Sequence, residues 1–173
     1  MATNQIKATN QIKVIGLDLG QKTGWAVRGR GGMIAADTQD LSSKADNLGA
    51  RVVNLRRLME TVFEVFGVKM IAYEFVARHL GHHAGLNYGA YRGEVLSYAQ
   101  LRDIPTFSVP VGTIKKFATN KGNASKKAMV EAAVKRWPEP DIEPSDDNQA
   151  DAMWIAEYAW VELLAKGNGD VEK

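Results

Sequence analysis

The stretch Lys13-Val14-Ile15-Gly16-Leu17-Asp18-Leu19 reads as a buried strand, because Val, Ile and Leu dominate it. Turn chemistry follows from Gly20 to Gly24, and Trp25-Ala26-Val27-Arg28 continues as a second strand. Gly29 to Gly32, written GRGG, is a second turn, and Met33 to Ala36 is a short third strand. Three strands joined by tight glycine-bearing turns form an antiparallel meander. One residue does not suit the first strand. Asp18 sets a carboxylate among aliphatic side chains, which is costly unless it is paired, hydrogen-bonded or bound to a metal.

Beyond the meander the period changes. Leu48, Val52, Leu55, Leu58, Met59, Val62 and Phe66 recur at three- and four-residue spacing, which predicts an amphipathic helix within Ser43–Phe66, stopped at Gly67. Val68 to Phe75 is a fourth strand, reached by a helical crossover and therefore parallel to the first. His79 to Tyr88 reads as a loop, Ala90 to Leu101 as a helix, and Thr106 to Val109 as a fifth strand ended by Pro110. A loop at Lys121-Gly122-Asn123 leads into a helix from about Ala124 to Arg136. Pro138, Pro140 and Pro144 mark an extended acidic linker before a last helix, Asp147 to Leu164. The order β-β-β-α-β-α-β-α-α predicts an α/β fold: a mixed five-stranded sheet, three-strand meander plus two parallel strands, with helices on both faces. The hexapeptide ATNQIK occurs at Ala2–Lys7 and again at Ala8–Lys13. Six residues cannot form a fold unit. Residues 1–12 are expected to be a flexible segment, 13–166 the folded domain and 167–173 a disordered tail.

The chain has 173 residues, enough for one domain with a real core. It contains no cysteine, which excludes a disulfide scaffold, a thiol nucleophile and a cysteine-ligated zinc site. Its apolar runs fall far short of the ~20 residues of a membrane span, and the polar N-terminus carries no signal segment. A cytoplasmic, soluble protein is expected. Charge is unevenly spread. Lys115, Lys116, Lys121, Lys126, Lys127, Lys135 and Arg136 face one acid, Glu131, a net of +6 that leaves −4 on the rest of a chain whose total is +2. Such a segment is either a solvated helix face or a surface for a polyanion such as nucleic acid.

Glu74, at the end of its apolar strand, has the same oddity as Asp18 within the first, and neighbouring strands would bring the two carboxylates together. They are either caps for loop amides or ligands for a divalent cation. Asp147 and Asp151, four apart, share one face of the last helix, whereas Asp146 points away as an N-terminal cap. With Asp18 and Glu74 they make a set of oxygen donors suited to Mg²⁺ or Mn²⁺. Two such ions ~4 Å apart can activate water and stabilise the leaving oxygen in phosphodiester hydrolysis. His79, His82 and His83 lack a third ligand type and a framework for zinc, and read instead as a polar loop beside Glu74. Met153, Trp154, Trp160, Val161 and Leu164 read as core rather than as a base-stacking surface.

Five motifs in order carry a family resemblance. Val14-Ile15-Gly16-Leu17-Asp18-Leu19-Gly20 with Thr23-Gly24-Trp25-Ala26 resembles the opening of RuvC-type Holliday junction resolvases, of the RNase H-like superfamily. Ala72-Tyr73-Glu74 is similar to that family's second acidic strand, and Tyr91-Arg92-Gly93 to its small-residue helix. Ile114-Lys115-Lys116 with Gly122, Ala124 and Lys126 resembles its basic loop and helix start, and Asn148-Gln149-Ala150-Asp151-Ala152 its closing acidic helix. The likeness runs from Lys13 to about Ala165, as in a bacterial or a phage-type member.

The resemblance implies that Asp18, Glu74 and Asp151 bind metal and that Lys115 and Lys126 meet the scissile phosphate and DNA backbone. It further implies an aromatic that stacks on junction bases. The family's usual position for that aromatic is Ala77 here, which leaves Phe75, His79, His82 and Tyr88 as candidates. An acid or His expected three residues before the final Asp is Asn148, with Asp147 one position earlier. The expected protein is a Mg²⁺-dependent (or Mn²⁺-dependent) endodeoxyribonuclease nicking branched DNA as a homodimer. Its catalytic set is Asp18, Glu74, Asp147, Asp151 and Lys126, and its DNA contacts are Lys115, Lys116, Lys121, Lys126, Lys127, Phe75 and Arg92. The rivals are a nuclease acting on RNA–DNA hybrids and a non-catalytic branched-DNA-binding module. Actin-like ATPases share the Asp18-Leu19-Gly20 signature but need two such domains, and fail on length.

Overall fold

A computed structural model describes residues 12–44, 47–76, 81–139 and 144–167. The predicted N-terminal segment up to residue 11, His79, Pro140 and the tail beyond 167 lie outside these. Strands β1 (Val14–Asp18), β2 (Lys22–Gly29) and β3 (Gly32–Asp40) form the expected antiparallel meander. Helix α1 (Leu48–Phe66) crosses to β4 (Met70–Phe75), which pairs parallel to β1, and helix α2 (His82–Leu101) leads to β5 (Thr106–Pro110), parallel to β4. Three helices close the chain: α3 (Val111–Thr119), α4 (Lys126–Arg136) and α5 (Asp147–Gly167). The sheet order is β3-β2-β1-β4-β5.

The period-2 alternation of the strands sorts side chains between the two faces. Ile15, Leu17, Val27, Ile71 and Tyr73 pack with Leu55, Met59 and Val62 of α1 and with Tyr91, Val95 and Tyr98 of α2. Val14, Ala26, Ala72 and Val109 pack on the other face, with Ile114 of α3, Met129 and Ala133 of α4, and α5. Helix α5 is buried almost all round because it lies between the sheet and α4, so its Ala150, Met153, Trp154, Ile155 and Trp160 all enter the core. Its predicted stripe is core only in part: Val161 and Leu164 are each 41% exposed.

The contact of α5 with the sheet is unusually close. A Cβ on Gly16 would stand 2.3 Å from the Ala152 carbonyl oxygen and 2.5 Å from the Ala156 nitrogen. One on Gly24 would stand 1.9 Å from the Asn148 carbonyl oxygen. Only glycine on the strands and alanine on the helix allow the two backbones to approach this far. The buried Glu157 then pairs with both Arg28 of β2 and Arg136 of α4, and Trp154 donates to the Met129 carbonyl at 3.2 Å.

Several elements differ from the sequence expectation, β2 among them, which starts at Lys22 inside the stretch expected to be a turn rather than at Trp25. Strand β3 runs to Asp40 rather than Ala36, because its second half is an edge whose Asp37, Gln39 and Asp40 are exposed and polar. Helix α2 starts at His82, inside the stretch expected to be a loop; Gly85 and Gly89 depress its propensity, and tertiary packing prevails. Helix α3 was not expected. Its Val111, Gly112 and Thr113 are weak helix formers, and burial of Ile114 against the core holds it in place. Helix α4 starts at Lys126 rather than Ala124, since Ser125 is its cap and accepts from the Ala128 amide at 3.2 Å.

Gly24→Ala is expected to cost about 3 kcal/mol or more, because backbone rather than a flexible side chain blocks the new methyl. Gly31→Ala, with nothing within 4 Å of the added atom, should be close to neutral. Denaturant unfolding of the two variants checks this, and equal midpoints would contradict it.

Candidate active site

Register brings the first two carboxylates together. Gly16 pairs with Ala72 and Leu17 with Tyr73, so one further step along the parallel ladder sets Asp18 beside Glu74. Both stand on the α5 side of the sheet, since they continue the alternation Val14-Gly16-Asp18 and Met70-Ala72-Glu74. Helix α5, drawn down by Gly16 and Gly24, adds Asp151 above them.

The electrostatics record this convergence. Burial, reinforced by the charges of Glu74 and Asp151, pushes the Asp18 carboxyl well above the usual carboxylate range. Burial and then Asp151 push Glu74 up to about 7, against Lys115 and Lys126. Burial and then Asp147 push Asp151 up to about 6, opposed by the same two lysines. One oxygen of Asp151, Oδ1, is buried with no hydrogen-bond partner. An unpartnered buried acceptor beside like charges is a costly arrangement, and hard oxygen donors of this kind suit a hard divalent cation. Among the described residues no three Asp, Glu or His side chains are already close enough to enclose an ion. The donors are assembled but not drawn in.

Asp147 and Lys126 behave differently from the other three acids. They form an ion pair with each other, which holds the Asp147 carboxyl below its ordinary value and raises the Lys126 ammonium. With side chains 31% and 77% exposed, the pair contributes little stability. Asp146 caps α5: it accepts from the Gln149 amide at 2.8 Å and from the Thr38 hydroxyl at 2.7 Å, which ties the helix start to β3. The buried Gln149 adds a second tie, donating to the Ala36 carbonyl at 3.2 Å.

The basic residues divide. Lys115 and Lys126 lie close enough to the carboxylates to act on them. Lys116 instead faces a separate open groove of ≈ 740 Å³ with Phe117 and Tyr158. Lys121 lines another of ≈ 470 Å³ with Glu131 and Lys135. Lys127 pairs with Glu131 at 3.7 Å. Arg136 is committed to the buried Glu157, which takes it out of any free basic patch. Phe75 is 38% exposed and carries the Arg92 guanidinium 5.9 Å from its ring centre. Tyr88, a stacking candidate on sequence, turns its hydroxyl to the backbone of β4 instead. Neither this role nor that of Gly16 and Gly24 was visible in the sequence, though the small-residue spacing on β1 and β2 was its trace.

A family model described as crossover junction endodeoxyribonuclease RuvC matches residues 14–157. The chain is 32% identical over 110 residues to the crossover junction endodeoxyribonuclease RuvC of Chlamydia trachomatis serovar L2, an alignment covering 63% of this chain and 65% of that one, just under two thirds of the relative's length. The Chlamydia abortus protein of the same name is 32% identical over 117 residues, covering 67% and 70%. Among solved structures, Thermus thermophilus RuvC in complex with Holliday junction substrate superposes with a TM-score of 0.74 at 19% identity, covering 89% of this chain and 96% of that one. The yeast mitochondrial Holliday junction resolvase Ydc2 gives 0.62 at 16% identity, covering 91% and 81%. These likenesses place the mixed sheet and its flanking helices in the RNase H-like fold. The matched span includes every carboxylate and lysine of the site, and the chain belongs to the RuvC family of crossover junction endodeoxyribonucleases.

Proposed function

We propose that this protein is a divalent-metal-dependent endodeoxyribonuclease that nicks four-way DNA junctions by hydrolysing phosphodiester bonds. The observation that carries the reading is the meeting of Asp18, Glu74 and Asp151 from three separate elements, in a form that resists full ionisation without a cation. Asp18, Glu74 and Asp151, with Asp147 once released from Lys126, would hold Mg²⁺ or Mn²⁺, two ions per site. Bound metal would supply charge stabilisation at the phosphate and activation of water. Lys126, the first residue of α4, brings its ammonium and the positive helix end to the phosphate. Lys115 neutralises the neighbouring backbone. Lys116, Lys121 and Lys127 lie farther out, where they would position the DNA arms without reading sequence. Phe75, partly exposed beside Glu74, is the aromatic best placed to stack on an unpaired base.

A four-way junction has two strands to cut, related by a twofold axis, so a symmetric dimer with two sites matches it. The outer face of α2 suits that contact: added Cβ atoms on Gly89 and Gly93 would meet nothing within 4 Å, and Leu86 and Leu101 are 52% and 72% exposed. A large side chain there should separate the protomers. Gly93→Arg is expected to sediment as a monomer where the native protein is a dimer; an unchanged mass would remove α2 from the interface.

Asp18→Asn should lower nicking of a synthetic four-way junction by roughly 100-fold or more while leaving gel-shift affinity in place, because the basic surface is untouched. Asp147→Asn should also slow nicking, and Asp146→Asn much less, since an asparagine oxygen still caps the helix. Substantial nicking by Asp18→Asn at saturating Mg²⁺ would overturn the assignment. Preferred cleavage of RNA–DNA hybrids would favour the rival nuclease.

The pH dependence has a definite sign. Asp18, Glu74 and Asp151 hold their protons more tightly folded than unfolded, so their contribution is full below the unfolded values near 4 and is lost as pH rises towards about 7. Metal-free protein should therefore be less stable at pH 8 than at pH 5, and Mg²⁺ should restore stability at pH 8 far more than at pH 5. Melting temperatures with EDTA and with Mg²⁺ test both statements. A metal effect independent of pH would contradict them.

A further inference from the structure

Helix α2 grips the exit of β4 at two points one turn apart. The Tyr88 hydroxyl donates to the Glu74 carbonyl at 2.7 Å and accepts from the Val76 amide at 3.3 Å. It thus bridges the peptide units on either side of Phe75, just where the ladder with β1 has ended and no strand neighbour from that side can hold them. Four residues on, Arg92 hydrogen-bonds Tyr73 and sets its guanidinium over the Phe75 ring. β5 pairs with residues 73 to 75 on one side, the hold on the side that β1 has left comes from one face of α2, and Glu74 and Phe75 point in opposite directions by the strand alternation. Without that second hold, the backbone carrying this carboxylate, repelled by Asp18 and Asp151, would be fixed along its β5 edge alone.

We propose that Tyr88 is a positioning residue for Glu74: its hydroxyl clamps the end of β4 so that the carboxylate stays aimed at the site when Asp18 and Asp151 repel it. The proposal rests on the reading of Glu74 as a metal ligand and goes beyond it, because Tyr88 touches neither substrate nor metal. Support of this kind around a ligand is worth about 10- to 100-fold in metal affinity or rate when removed.

The test replaces Tyr88 by Phe, keeping the ring and deleting both hydrogen bonds. Tyr91→Phe is the control in the same helix, since the Tyr91 hydroxyl is buried without a partner. Gly67→Ala, strained at a φ of 63° where α1 ends, ahead of β4, controls for lost stability. Single-turnover nicking at saturating protein is followed across a Mg²⁺ titration, Mn²⁺ affinity is measured by calorimetry without DNA, and exchange of the Val76 amide by NMR. Tyr88→Phe is expected to weaken Mn²⁺ binding about tenfold, to move the Mg²⁺ midpoint up by a similar factor with the rate largely recovered at saturation, and to speed Val76 exchange. The two controls should leave all three unchanged. Native Mn²⁺ affinity and Val76 exchange in Tyr88→Phe, or shifts equal to those of Gly67→Ala, would overturn the proposal. A native protein that binds Mn²⁺ but leaves junctions intact would defeat the nuclease reading instead, and the calorimetric comparison would still decide the role of Tyr88.

Discussion

The structure depends on the approach of the last helix to β1 and β2. Gly16 and Gly24 leave no side chain between sheet and helix, and Ala152 and Ala156 leave almost none on the other side. The consequence is chemical as well as steric. With ordinary side chains at these positions α5 would stand farther off, and Asp151 would be lifted away from Asp18. The helix is then held in register by polar ties at its start, Asp146 to Thr38 and Gln149 to Ala36, and by Glu157 between Arg28 and Arg136 farther along. A carboxylate on a strand and one on a helix are thereby fixed by backbone contact rather than by their own interactions, which are repulsive.

That repulsion is the cost of the site. Three half-buried acids whose protonation is favoured by desolvation and by neighbouring carboxylates destabilise the metal-free fold at neutral pH. The fold offsets this with a two-sided core. Lys115 and Lys126 supply only partial compensation, and Lys126 is also engaged by Asp147 at the surface. A divalent cation held there, as proposed, would relieve the repulsion and give the unpartnered Asp151 oxygen a partner.

Much of this was legible in the sequence, for identifiable reasons. Asp18 and Glu74 stood out because a strand of Val, Ile, Ala and Tyr has no structural use for a carboxylate, and the parallel pairing of β4 with β1 followed from the helical crossover. Asp151 and Asp147 shared a helix face by spacing alone. What escaped was held by tertiary contact. Helix α3 has poor propensity and is held by burial of Ile114; the start of α2 contains two glycines, and the helix is held by packing of Tyr91, Val95 and Tyr98 into the core. The outer half of β3 is a polar edge with no alternation to read. Arg136, counted with the basic segment, belongs to Glu157, a partner twenty-one residues away that charge counting could not find.

Anomalous diffraction from crystals grown with Mn²⁺ asks whether carboxylates from β1, β4 and α5 share a divalent cation. A peak bounded by Asp18, Glu74 and Asp151, lost in Asp18→Asn, is the expected result. Mn²⁺ bound only elsewhere, with Asp151 Oδ1 still unpartnered at full loading, would contradict it.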